Sequence, residues 1–453
     1  MLNKENLIKA LKIIGDMLFV NLSFVIAFYI RYLGDIPEKN FSVYIELIPY
    51  ITVSSLILLY LYNLYANPLH QNSSDIFYSF IPVSVIIAAF TTVLSYFVYA
   101  FAFPRSVLLI VIPVLILVMV CWRYLYLAVE KKYLQLGKAV IIGEAGGVEK
   151  LLKNIEENTI GGYDIVSVLI RNGDKLIEYP GCDSFRDITD IRNIIDSLDV
   201  DIVFLANGLT EKEKKEVFHI SLEQDWSVIL VPDFYEIMLS GAVLENIGEI
   251  PVYEVNLLNN HKTEMLKRGF DIVFSLLVLF ITLPLMLFVA LLIKLDSRGP
   301  VLFKQPRVSK EGSSFNVYKF RTMVDNAEAR TGPVLSGEND RRITRIGRVL
   351  RKVRIDELPQ LFNVLKGDMS LIGPRPERPF FVSQYEKKLP EYKYRHRVKS
   401  GITGMAQVYG YYSTDPQDKL RMDLLYANKS SFLLDLKIIL QTIKVMLMKK
   451  KSS

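Results

Sequence analysis

Four apolar runs open the chain, at residues 9–32, 45–65, 77–100 and 106–128, each close to the roughly 20 residues that cross a bilayer as a helix. The first is too long for a signal-peptide core and lacks a small-residue cleavage site, so it is expected to remain as a span. Lys4, Lys9 and Lys12 lie at the start of the first run, and Arg123, Lys131 and Lys132 at the end of the fourth, whereas the turn near Pro104 carries only Arg105. Positive charge marks the cytoplasmic side, so the pattern predicts four spans with both flanks in the cytoplasm. Asp16 and Asn21, inside the first run, are expected to pair locally within the bundle.

From Lys138 the period changes. KAVIIG and YDIVSVLI read as strands with the helix VEKLLKNIEE between them. DITDIRNIIDSL, DVDIVFLA, TEKEKKEVFHISLEQ and WSVILVPDF continue the alternation of helix and strand, which predicts a parallel, doubly wound, Rossmann-like sheet. Its first turn, Gly143-Glu144-Ala145-Gly146-Gly147, lacks the G-x-G-x-x-G spacing that lets backbone approach a pyrophosphate, so assembly or regulation is the preferred role and nucleotide binding the alternative. A fifth apolar segment follows near 267–294. Lys267 and Arg268 precede it, Lys294 and Arg298 follow it, and Pro284 lies near its middle. A proline removes a helical hydrogen bond, and Thr282 is placed to satisfy a freed carbonyl; with positive charge on both flanks, a re-entrant hairpin of two half-helices is expected rather than a kinked fifth span. The last segment, SFLLDLKIILQTIKVMLMKKK, has apolar residues at helical spacing and a lysine-rich end, which fits either an anionic membrane surface or a packed core. The domains read from this pattern are a four-span bundle at 1–132, a Rossmann-like module at 133–260 and a third domain at 261–453.

Composition agrees with this division. At 453 residues and 51% hydrophobic, the chain is too long for one core and too apolar for a wholly soluble protein. Its formal charge is +6, with Lys and Arg concentrated towards the C-terminus, including RVLRKVR just before Asp356, so partners there are expected to be anionic. In a membrane protein, phosphates and lipid headgroups are preferred over nucleic acid. Cys121 and Cys182 are the sole cysteines, and His70, His219, His261 and His396 are scattered, so neither disulfide framework nor zinc or haem ligation is indicated.

Between Arg354 and Pro376 the chain reads RIDELPQLFNVLKGDMSLIGPRP. Pro359 suits the first turn of a helix running to Gly367, which sets Asp356 and Glu357 at the positive end of that helix, a place for carboxylates, phosphates or a divalent metal. A chain with 48 acidic residues holds several such pairs by chance, so the pair alone reads more readily as a helix cap.

The neighbouring blocks change that balance. VLFKQPRVSKEGSSFNVYKFRTM, DRRITRIGRVLRKVRIDELPQLFNVLKGDMSLIGPRPERP and VKSGITGMAQVYGY resemble, in order and spacing, the bacterial sugar transferase family, the monotopic phosphoglycosyl transferases. The likeness covers 267–447, and the four spans with an α/β module resemble the large members of the family. The resemblance implies transfer of a sugar 1-phosphate from a UDP-sugar to undecaprenyl phosphate with release of UMP, by a ping-pong mechanism through an aspartyl phosphosugar, as the first membrane step of exopolysaccharide or O-antigen synthesis. It implies Asp356 as nucleophile, Glu357 as its partner, Mg2+ held by both, and Arg375 of GPRP as a phosphate contact. Lys304, Arg307, Lys319 and Arg321 are implied to serve the donor diphosphate or support the site. It further implies the bacterial inner membrane, with the α/β and catalytic domains on the cytoplasmic face, and a homodimer. Asp368 in KGDMS is either a further acidic ligand or a turn cap. Ser309, Arg354, Met405 and Leu283 depart from the family pattern, which commonly has glycine, a small hydroxyl residue, tryptophan and serine there. The rival expectation is a non-catalytic membrane scaffold or nucleotide sensor with a decayed transferase domain.

Overall fold

The computed structural model describes residues 4–66, 73–99, 103–133, 137–158, 163–171, 183–185, 200–255, 261–324, 327, 340–411 and 414–448. The chain divides into two compact units, Met1–Val231 and Pro232–Ser453.

In the first unit the apolar runs form Lys4–Tyr32 (α1), Glu38–Leu61 (α2), Ser73–Tyr99 (α3) and Arg105–Tyr133 (α4). Phe24, Phe28, Ile51 and Phe80 are buried between the helices, while Leu18, Phe97 and Leu109 face outward, as in a bundle whose surroundings are apolar. Asp16 and Asn21 do pair locally. Trp122 Nε1 donates to Asp16 Oδ1 (2.9 Å) and Arg123 Nη2 to Asp16 Oδ2 (2.6 Å), tying α1 to α4, and Asn21 Nδ2 donates to Thr52 Oγ1 on α2 (2.9 Å).

After the bundle come Lys138–Gly143 (β1), Ala145–Asn158 (α5), Asp164–Ile170 (β2), Asp183–Phe185 (β3), Ile202–Leu205 (β4), Glu211–Gln224 (α6) and Ser227–Leu230 (β5). The five strands form one parallel sheet in the order β3-β2-β1-β4-β5. Side chains alternate between its faces: Val140, Ile142, Leu169, Val203 and Leu205 pack with Val217 and Ile220 of α6, while Ala139, Ile141, Val168 and Phe204 pack with Val148, Leu152 and Ile155 of α5. Helices on both faces make the sheet doubly wound, as the alternation predicts. The three-residue β3 is too short for a periodicity signal, and the helix expected at 187–198 lies outside the described residues.

The second unit begins with Phe234–Leu239 (α7), which Asp233 and Glu236 open with a reciprocal capping box. The hydrophobic pattern assigns this stretch to the α/β module. It joins the second unit because Ile237 is buried with Val308, Val382, Tyr392 and Leu424. Val243–Ile247 (β6) and Ile250–Glu254 (β7) pair as an antiparallel hairpin. His261–Asp296 (α8) follows as one helix with Pro284 inside it, where the sequence reading has two half-helices. Thr282 Oγ1 donates to Val278 O (2.7 Å) and so does not serve the carbonyl that Pro284 leaves without a donor. One face of α8 places Leu279, Met286, Val289 and Ile293 in the core of the unit; Leu277, Phe280, Ile281, Leu287 and Phe288 are exposed on the other. Both ends are tied down: Lys267 Nζ donates to Asp435 Oδ2 (2.6 Å), and Arg321 Nη2 donates to Ser297 O (2.7 Å).

Beyond α8 come Leu302–Val308 (β8) and Ser314–Phe320 (β9), an antiparallel pair, then Arg345–Lys352 (α9), a 3-10 turn at Ile355–Glu357, Gln360–Lys366 (α10) and Ser370–Ile372 (β10). Pro379–Lys388 (α11), a 3-10 stretch at Pro390–Arg397, Gly401–Thr403 (β11), Met405–Tyr409 (α12), Pro416–Lys429 (α13) and Phe432–Leu447 (α14) complete the unit. Val364, Met369, Ile372, Tyr426 and Ile438 form the centre of its core. The last helix packs into the core through Ile438 and Val445, while Phe432, Leu433 and Met446 are exposed.

Among the described residues, five helices are long and apolar enough to cross a membrane: the segments Lys9–Tyr32, Glu38–Leu61, Ser74–Phe97, Arg105–Glu130 and Glu264–Asp296.

Candidate active site

The acidic pair sits on a turn built to present it. Arg354 takes a left-handed conformation (φ 56°), which reverses the chain after α9, and the 3-10 turn Ile355–Glu357 then leads through Pro359 into α10. The pair therefore lies just before a helix start, as Pro359 predicts. Gly367, at φ 92°, ends the helix, and its N–H donates to Asn363 O and Val364 O. Asn363 holds α10 against β9, accepting from Tyr318 N at Oδ1 (2.9 Å) and donating from Nδ2 to Asn316 O (2.8 Å). Arg268 of α8 donates to Val364 O and Leu365 O at the far end of α10.

One oxygen of Glu357 is the meeting point of the site. Lys319 Nζ donates to Glu357 Oε1 at 2.6 Å, and Arg375 Nη2 donates to the same atom at 2.9 Å. Asp356 next to it is 8% exposed, and its side chain makes no hydrogen bond or ion pair among the described residues. The two carboxyls consequently diverge. Burial, reinforced by the negative charge of Glu357, pushes Asp356 up to about 6. Burial acts on Glu357 in the same sense, but Arg375 and Lys319 together outweigh it and hold that carboxyl well below the usual range. Burial lowers Lys319, with Glu357 opposing the shift, and Glu357 raises Arg375. Adjacent carboxyls thus differ in kind: Glu357 is a committed anion, while Asp356 keeps its lone pairs for a ligand or a reaction. Carboxylate oxygens of this kind are what a hard divalent cation takes, one or two at a time, filling its sphere with waters and phosphate oxygens.

The remaining sequence candidates divide by strand register. In the β8/β9 hairpin Phe303 lies opposite Lys319 and Lys304 opposite Tyr318, so Lys319 shares a face with Gln305 and Arg307, and Lys304 belongs to the other. Lys304 Nζ lies over the Tyr318 ring, 5.6 Å from its centre. Arg307 Nη1 donates to Pro376 O (3.0 Å), beside Arg375, and Nη2 to Gln305 Oε1 (2.7 Å). Arg321, just past β9, is buried and serves the end of α8 instead of the acidic pair. Asp368 accepts from Asn363 Nδ2 (3.1 Å) within its own turn. The structure thus gathers Asp356, Glu357, Lys319 and Arg375, seats Arg307 behind the GPRP turn and turns Lys304 and Arg321 to other partners. Arg268 and Asn363 escape the sequence reading: the first registers as a membrane-flanking charge, and the second carries no signal.

In the first unit the opening turn of the sheet carries an acidic residue, Glu144. Glu144 N donates to Asn207 O (3.0 Å), and the Glu144 side chain lies against Gly208, whose φ is +92°. An acidic group there repels a phosphate.

A model of the bacterial sugar transferase family matches residues 262–449, and one described as a CoA-binding domain matches residues 59–223. An undecaprenyl-phosphate galactose phosphotransferase of Salmonella typhimurium is 31% identical over 329 residues, 68% of either chain. A UDP-N-acetylgalactosamine-undecaprenyl-phosphate N-acetylgalactosaminephosphotransferase of Aeromonas hydrophila is 49% identical over 185 residues, 40% of this chain and 44% of that one. A UDP-glucose:undecaprenyl-phosphate glucose-1-phosphate transferase of Escherichia coli is 37% identical over 252 residues, 53% of either. The chain spans about half the length of these last two relatives. The first of the three likenesses reaches well beyond the second unit, and the matched model encloses the acidic pair, Lys319 and Arg375: the chain belongs to the bacterial sugar transferase family.

Proposed function

We propose that the chain transfers a sugar 1-phosphate from a UDP-sugar to undecaprenyl phosphate, releasing UMP. The observation that carries this reading is the divergence of the acidic pair, one carboxyl locked by two cations and its neighbour buried with free lone pairs. Asp356 attacks the sugar-linked phosphorus; its Oδ–P bond forms as the bridging P–O bond breaks, and UMP leaves with the electron pair. An oxygen of the lipid phosphate then attacks the same phosphorus, the Oδ–P bond breaks, and Asp356 is regenerated as a carboxylate. Attack of an anion on an anion needs positive charge placed in advance, and Lys319 and Arg375 are held by Glu357 for that purpose. Asp356 and Glu357 are the proposed holders of magnesium, which when bound supplies further neutralisation of the diphosphate.

Seated in the bacterial inner membrane with the α/β and catalytic domains on the cytoplasmic face, the site meets a soluble donor and a lipid acceptor. In this reading α8 enters and leaves the membrane on one side, bending at Pro284, in keeping with the basic residues at both ends and its one exposed apolar face. A single cysteine placed after Lys294, with Cys121 and Cys182 replaced by serine, should be labelled in intact cells only by a permeant reagent. Labelling by an impermeant reagent would make α8 a fifth span.

The activity is tested by presenting the full chain, in vesicles containing undecaprenyl phosphate, with UDP-glucose, UDP-galactose and UDP-N-acetylgalactosamine, the sugars in the relatives' names. One of them should give magnesium-dependent release of UMP. No release from any sugar nucleotide would favour the scaffold or sensor reading.

A further inference from the structure

The GPRP turn and the residue after it are gripped at four successive carbonyls. Gly401 N donates to Pro374 O (2.9 Å), Arg395 Nη2 to Arg375 O (2.9 Å), Arg307 Nη1 to Pro376 O (3.0 Å) and Val308 N to Glu377 O (2.9 Å). Pro374 and Pro376 have no N–H, so the turn is short of donors of its own and its carbonyls depend on donors from outside. Two of these donors are arginines, and one of them, Arg395, is held on its other nitrogens by buried partners. Arg395 is 4% exposed; its Nε and Nη2 reach Asp423 Oδ2 (3.0 and 2.7 Å) and its Nη1 donates to Tyr392 OH (2.6 Å). Asp423 is itself buried.

We propose that Arg395 is a positioning residue for the transfer reaction: clamped by Asp423 and Tyr392, it fixes the backbone of Arg375, so that the Arg375 guanidinium meets both Glu357 and the donor diphosphate. The inference rests on the functional reading above. Stability alone does not account for such a pair, because burying two charges is expensive and an apolar pair of the same volume often does as well. A planar fork offers what an apolar side chain cannot, several donors at fixed angles. The fork joins α13, through Asp423, to the carbonyl of Arg375. Arg375 in turn keeps 41% of its side-chain surface open while one nitrogen is held by Glu357, so a small rotation of its backbone would swing the open edge away from a bound diphosphate. Lysine at position 395 keeps the charge but reaches Asp423 or the carbonyl with a single group and has no fork.

The test is a double-substitution cycle in the full chain in vesicles, read as kcat/KM for the UDP-sugar, with thermal melting alongside. Arg395→Lys should lower kcat/KM about tenfold or more with little change in melting. Arg375→Ala should lower it further, and Arg395→Lys should then cost nothing more in the Arg375→Ala background. Asp423→Asn, which keeps the volume and releases the fork, should show the same dependence on Arg375. Losses that multiply, or an Arg395→Lys chain with the kcat/KM of the wild type, would overturn the positioning role while leaving the functional reading standing. Should either variant melt early, donor binding by the Asp356→Asn chain, with and without Arg395→Lys and Arg375→Ala, repeats the cycle at low temperature. There too, independent losses overturn the proposal. A wild-type chain that releases no UMP overturns the functional reading, and this inference with it.

Discussion

Replacing Asp356 with asparagine is expected to leave a folded chain that releases UMP at least about a thousandfold more slowly than the wild type and retains no sugar phosphate. The side chain keeps its shape but loses the anionic oxygen that forms the bond to phosphorus. In the wild type, incubation with donor alone should release one UMP per site and leave the sugar phosphate on the protein; with Asp356→Asn both signals vanish. Packing should survive, because the Asp356 side chain has no hydrogen-bonded partner to lose among the described residues. The same geometry predicts an accompanying gain. A carboxyl whose folded-state value is raised to about 6 disfavours the folded state at neutral pH, since its charged form is better solvated in the unfolded chain. Asparagine removes that cost, about 3 kcal/mol, so the variant should melt at or above the wild-type temperature at pH 7. Turnover at the wild-type rate by Asp356→Asn would move the nucleophile elsewhere.

The next largest effect is expected from Glu357→Gln. Oε1 of Glu357 holds both Lys319 and Arg375, and a neutral amide leaves the two cations facing each other without the anion between them. The cost to stability should be about 2 kcal/mol, less than a fully buried pair would cost because Arg375 is partly in water. Release of UMP should fall about a hundredfold as the cations lose their registration on the diphosphate. Protonation of Asp356 cannot be the cause of that fall, since removing the neighbouring negative charge lowers the Asp356 value. An unchanged melting temperature together with an unchanged rate would remove Glu357 from the site.

These effects trace to features of unequal visibility in the chain. The bundle and the parallel sheet were legible because hydrophobic periodicity is a local signal, and alternate residues such as Ile141 and Ile142 do serve opposite faces. The acidic turn and the GPRP arginine were legible as linked motifs. Which basic residues meet them was not, because Lys304 and Lys319 are similar in sequence and are separated only by the register of a hairpin. Arg395 and Asp423, 28 positions apart, look like ordinary surface charges until the fold buries them together. Residues 234–239 follow the sheet in sequence, yet their core partners lie at 308 and beyond. Long-range packing of that kind leaves no periodic trace.

The two ties on α8 bear on how the protein is anchored. Its 36 residues would span about 54 Å if straight, nearly twice the apolar thickness of a bilayer, yet Lys267 at one end and Ser297 just past the other are fastened to the same unit. In the proposed topology, a rod pinned at both ends to one body is pressed into the membrane from one side, like a keel. On the proposed reading, the depth of that keel sets the height at which Asp356 rides above the lipid, so a change in bilayer thickness on the far leaflet should leave catalysis almost untouched.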